Sequence, residues 1–134
     1  MHYTEIRPLI DFGLFILIWL VQLIVYPSFR LMSSTQLVAW HTKYTPRITA
    51  VVAPLMLAQL AISILFVSNE MEPASILYFA LVVSMWLLTF SFFIPLHNKI
   101  QKGEASEKLL KNLITVNWAR TVVWTLISCQ SLLS

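Results

Sequence analysis

Charge is scarce in this chain of 134 residues: only 11% are Asp, Glu, Lys or Arg, against about 25% in an ordinary soluble domain. A globule of this length has too much surface to cover with so few charges. Glycine is nearly absent, at two residues, which excludes collagen and glycine-rich disorder. The single cysteine excludes a disulfide framework and a thiolate metal cluster. The formal net charge of +3 is not gathered into a basic stripe with base-stacking aromatics, so nucleic acid is not an expected partner. What is present is apolar: 58% of residues are hydrophobic and 13% aromatic. Such a chain is not disordered, and its expected partner is the lipid bilayer.

Three runs carry no Asp, Glu, Lys or Arg: residues 12–29, 48–69 and 73–98. A helix needs about 20 apolar residues to cross the hydrocarbon core. A fourth run, 113–133, holds one charge, Arg120. The expected fold is an all-α integral membrane protein, an antiparallel four-transmembrane-helix bundle forming one domain over 1–134. Its spans fall at about 10–29, 47–68, 74–97 and 112–133. The first run is too long for a signal-peptide core and lacks a basic leader and a small-residue cleavage site, so it reads as a span. Arg30, Lys43 and Arg47 lie between spans one and two, and Lys99, Lys102, Lys108 and Lys111 between three and four. Outside the spans, only Arg7 lies elsewhere. The positive-inside rule then places both basic loops in the cytoplasm and both termini outside, in the inner membrane if the source is bacterial.

Between spans one and two, Leu37, Trp40, His41 and Tyr44 recur at i, i+3, i+4, i+7. This predicts a short interfacial helix with an inward apolar face, capped by Ser34 or Thr35 and separated from span two by a bend at Pro46. Asn69 to Pro73 forms a short acidic outer turn, Lys102 to Ala105 a short inner one, and Ser106 is suited to cap the last helix.

Span four carries the sharpest polar signal. Asn117, Arg120, Thr121, Trp124 and Ser128 fall on one helical face. Arg120 sits about 10 Å into the helix, where a charge should face the bundle interior and find a partner. Gln22, Tyr26, His97 and the carbonyl of Ser91, freed by Pro95, are candidates at matching depth. Tyr44 and Asn98 join them in the cytoplasmic half. The outer half reads as apolar apart from small hydroxyls, with Asp11 a solvated residue at its edge. Cys129 reads as a buried, inert thiol, and Met56 and Met85 as core filling.

Candidate catalytic residues are therefore His41 and His97 as general base and Arg120, with Asn117, as stabiliser of a developing oxyanion. Candidate ligand-binding residues are Gln22, Tyr26, Tyr44, Asn98, Asn117, Thr121 and Trp124. The bland readings are snorkelling toward the cytoplasmic headgroups for Arg120, a helix cap for His97, an aromatic belt for Trp40 and Tyr44, and interhelical glue for the glutamines.

No span holds the glutamates of a di-iron carboxylate site. A zincin helix, a phosphate loop, a dinucleotide fingerprint and a Cys-x-x-Cys-His haem attachment are all missing. One cofactor reading stays open, a b-type haem or a single metal ion held by His41 and His97.

Span three ends Phe93-Ile94-Pro95-Leu96-His97-Asn98-Lys99-Ile100, and span four reads Asn117-Trp118-Ala119-Arg120-Thr121-Val122-Val123-Trp124. These phrases, with Tyr26-Pro27 and Trp40-His41 more loosely, resemble the small four-span membrane proteins grouped with fungal anthrone oxygenase. His97 stands where a Pro-Leu-Asn run is common in that group. The resemblance implies a four-span fold and oxygen-dependent oxidation of a polycyclic aromatic anthrone without an obvious cofactor. The functional expectation is a small membrane enzyme, oxidoreductase- or monooxygenase-like, acting on a small apolar or aromatic molecule near the cytoplasmic face. The alternatives are a haem or lipophilic-ligand carrier, and a structural or assembly subunit. A second copy of the chain is a candidate partner.

Overall fold

The computed structural model describes residues 2–133, and every regular element among them is helical. Four long helices follow one another: α1 Tyr3–Phe29, α2 Ser34–Asn69, α3 Pro73–Gln101 and α4 Glu107–Leu133. Local chemistry sets their ends. Ser33 and Gln36 form a reciprocal capping box at the start of α2, so the cap is one residue earlier than expected. Pro73 opens α3 at a position that needs no amide donor. Ser106 caps α4 as expected, its Oγ accepting from the Leu109 N–H at 3.0 Å. Gly103, at φ +78°, supplies the left-handed residue that turns the chain between α3 and α4.

Each helix packs on its neighbours in the chain, and α1 against α4 closes the ring. Inside lie Leu14, Ile18, Phe29, Tyr78, Met85, Phe93 and Trp124; outside, Leu9, Phe12, Leu23, Leu57, Leu87 and Leu126 are exposed. That inverted surface suits contact with a lipid bilayer. Helices α1, α2 and α3 are each long and apolar enough to cross one. Helix α4 matches them in length, but Asn117, Arg120 and Gln130 make it less apolar.

The basic segments meet at one end of the ring. Arg30 donates to Glu107 at 2.9 Å, and Lys111 stands 3.7 Å from the same carboxylate. The hydrogen bond from Arg30 and the nearby Lys111 charge hold the Glu107 carboxyl below its ordinary range. The acidic turn at 70–72 and the start of α1 lie at the opposite end.

Three expectations are corrected. No break separates an interfacial helix from span two: α2 runs unbroken through Pro46 and Pro54. Proline removes one donor and crowds one carbonyl, and the 36-residue helix absorbs that cost twice. On the face read as inward, Leu37, His41 and Tyr44 are buried but Trp40 is exposed. Cys129, read as buried, is exposed: one residue on from the buried Ser128, about 100° round the helix, it turns to the outer face of α4.

Two of the helices contain a wide turn. Residues 21–25 of α1 and 89–93 of α3 are π-helical. In each, an N–H bonds back five residues, Tyr26 to Val21 and Ile94 to Thr89. Both turns lie just before a proline, Pro27 and Pro95. Widening the turn relieves the ring's clash with the carbonyl four residues earlier. It also sets the direction of Tyr26 and His97, which follow.

Candidate functional site

A cavity of about 390 Å³ opens between α1, α2 and α3, toward the basic end, with Arg120 of α4 on its wall. Most of its lining is apolar, including Ile48, Val52, Met56, Trp86, Phe90 and Phe93. The polar groups are few: the hydroxyls of Thr45, Thr49 and Thr89, and Tyr26, Tyr44, His97, Asn98 and Arg120. An apolar pocket with a few convergent polar groups is the usual form of a small-molecule site.

Behind this wall runs a chain of hydrogen bonds whose direction can be worked out. Thr42 Oγ1 gives its proton to the Val38 carbonyl at 2.8 Å. It therefore accepts from Gln101 Nε2, at 2.7 Å, which turns Gln101 Oε1 toward His41 Nδ1, at 2.8 Å. An amide oxygen only accepts, so His41 Nδ1 carries a proton. In neutral His41 the Nε2 is then an acceptor, and it takes the proton of His97 Nδ1 at 2.8 Å. His97 Nε2 accepts in turn from the Tyr26 hydroxyl at 2.9 Å. At the far end the Arg120 guanidinium, a donor only, lies beside the Tyr26 oxygen. Every group points its proton the same way, from the cavity toward the basic end.

Five of the expected site residues, Gln22, His41, Asn117, Thr121 and Trp124, do not line the cavity. Gln22 Oε1 accepts from Asn117 Nδ2 at 2.9 Å and Thr121 Oγ1 at 2.8 Å, while Gln22 Nε2 donates to the Ile114 carbonyl at 3.1 Å. These three side chains tie α1 to α4. The Trp124 indole donates to Gln59 Oε1 at 3.2 Å. His41 also stays off the cavity wall, one bond behind His97. Arg120 is 8% exposed and faces inward as expected. Its guanidinium carbon lies 4.2 Å from the Phe93 ring centre and 5.1 Å from that of Trp124.

Sequence reasoning missed a second polar cluster, at the acidic end. Asp11, expected to be solvated, is fully buried. It accepts from Gln59 Nε2 at 2.8 Å and from the Tyr78 hydroxyl at 2.8 Å, and pairs with Arg7 at 3.8 Å. Arg7 itself is buried against the rings of Tyr78, at 4.2 Å, and Phe66, at 4.7 Å. The one signal was the Arg7–Asp11 spacing of four, an ion pair on a single helix face.

The histidines do not fit a bis-histidine haem. Their rings stack with centres 5.1 Å apart, and the facing nitrogens share a proton at 2.8 Å. A metal between two imidazole nitrogens needs about 4 Å, twice a metal–nitrogen bond of about 2 Å. Their other nitrogens are engaged by Gln101 and Tyr26. Among the described residues no group of three or more His, Cys, Asp or Glu is placed to hold a metal. Comparison with known proteins adds no relative: no family model matches the chain, and neither does any curated protein or solved structure.

Proposed function

We propose that this chain is a four-span membrane enzyme that removes a proton from a small apolar or aromatic molecule held in the cavity. The observation that carries this reading is the one-way chain ending at Tyr26 beside Arg120. It makes Tyr26 and His97 one base. A substrate proton passes to the Tyr26 oxygen as the Tyr26 proton passes to His97 Nε2. Charge then rests on the imidazole, where His41 Nε2 accepts from Nδ1–H. The substrate anion develops against the Arg120 guanidinium. Asn117, engaged by Gln22, takes no part.

The likeness of 93–100 and 117–124 to the anthrone oxygenase-like group supports an oxidative outcome and names a substrate to try. An anthrone loses a methylene proton to this base and gives a delocalised oxyanion. Dioxygen takes up its electrons, and one anthrone and one dioxygen give one anthraquinone and one water. The purified protein in nanodiscs, supplied with anthrone and air, should consume dioxygen and form anthraquinone in equal amounts, well above the autoxidation rate. A rate equal to that with empty nanodiscs removes the oxidative reading.

In this reading α4 is the fourth span, its polar face turned inward. The buried Asn117, Arg120 and Thr121 and the exposed Trp118, Val122 and Leu126 support that placement. The seven lysines and arginines of the basic end face the cytoplasm. Cysteines introduced at Glu70 and at Lys102, in a Cys129→Ser background, should label from opposite sides, Lys102 from within. Labelling of both by an impermeant reagent outside the cell rules out this topology.

A further inference from the structure

The charge of Arg120 is unanswered. Three ion pairs occur among the described residues, Arg7–Asp11, Arg30–Glu107 and Lys111–Glu107, and none includes Arg120. Its Nε–H is buried without an acceptor. Tyr26 offers only a lone pair, because its proton is committed to His97. The faces of Phe93 and Trp124 supply a partial negative surface but no formal charge. A guanidinium held more than nine-tenths buried on the wall of an apolar cavity is costly to leave so. It is also shaped for a planar, two-oxygen or single-oxyanion group.

We infer that the cavity selects an organic anion, an aromatic acid whose carboxylate or acidic phenolate oxygen meets Arg120 while its rings lie among Phe90, Phe93, Trp86 and Met56. This rests on the reading of the cavity as the substrate site and narrows it to aromatic molecules with an anionic oxygen; anthrone joins that class only as the oxyanion it becomes on losing its proton, so it probes turnover and not resting affinity. A neutral molecule of the same shape gains the apolar contacts but leaves the guanidinium unmatched. An aliphatic amine or cation is repelled.

The test uses 2-naphthoate and its neutral counterpart, 2-naphthamide. Binding is measured by equilibrium dialysis against nanodiscs bearing the full chain, with empty nanodiscs subtracted. Naphthoate should bind at least tenfold more tightly than the amide. In Arg120→Gln the preference should vanish, and Arg120→Lys should keep part of it. The comparison in the unaltered protein stands even if a variant fails to insert. Equal binding of the two probes overturns the anion while leaving the cavity a substrate site. Binding of neither also overturns it, and anthrone oxidation then reports separately on the enzyme reading. A preference that survives in a folded Arg120→Gln protein assigns the selectivity elsewhere and overturns it as well.

Discussion

Asp11→Ala is expected to lower stability by about 3–5 kcal/mol, the usual cost of breaking a buried ion pair from one side. The total for a domain is only about 5–15 kcal/mol, so much of the fold's margin rests on this carboxylate. Asp11 joins three helices directly, through its own place on α1, Gln59 on α2 and Tyr78 on α3. Gln59 carries the tie on to Trp124 of α4. Removing the carboxylate takes one partner from Arg7 and leaves the Tyr78 hydroxyl and Gln59 amide without this acceptor. Reversible unfolding in mixed micelles gives the value directly. A loss below about 0.5 kcal/mol, the range of an ordinary surface change, would show that the cluster carries little of the fold. Replacing the pair together, Arg7→Met with Asp11→Leu, should recover only part of the loss: an apolar pair needs no desolvation, but the Tyr78 hydroxyl and Gln59 amide stay without their acceptor.

For His97→Ala, anthrone turnover should fall by about 10²–10⁴, the usual contribution of a positioned base. That is about 3–5 kcal/mol of barrier at 1.36 kcal/mol per tenfold. The fall should appear in kcat more than in KM, because the apolar lining that holds the rings is untouched. His41→Gln should cost less, since His41 acts through His97 by fixing its tautomer. A His97 that merely caps α3 gives a different result: the alanine variant would then lose stability and keep its kcat. Unchanged turnover in a folded His97→Ala protein assigns the base elsewhere.

Much of this was legible because burial in a membrane leaves long marks. The uncharged runs located α1, α2 and α3, and the polar stripe of α4 correctly turned Arg120 inward. Tyr26, His97 and Arg120 were named together from depth alone, and they do share a wall. Asp11 was missed for a physical reason. The uncharged run begins at Phe12, but α1 begins at Tyr3. Asp11 therefore lies more than two turns inside its helix rather than at its edge, with Arg7 one turn below to answer its charge. Depth alone also could not separate Gln22, Asn117 and Thr121, which bind one another, from Tyr26 and Tyr44, which face the cavity. That sorting depends on helix rotation, which the wide turns alter, and in the sequence those turns show only as Pro27 and Pro95. Pro46 gave the opposite error, suggesting a boundary where the helix simply continues.

The wide turns have a consequence in the phase of the helices. An α-helix advances about 100° per residue, so each turn with one extra residue swings everything beyond it by about that angle relative to an unbroken helix. Tyr26 lies just past one such insertion and His97 past the other. Two independent single-residue offsets, in helices that both run from the acidic end to the basic end, thus bring a hydroxyl and an imidazole into register. Excising one residue from either turn would restore a regular helix and aim its partner toward lipid. Length in these two segments is thus under tighter constraint than side-chain identity: Leu23 and Ile24 face outward and could be exchanged for other apolar residues, but neither could be dropped.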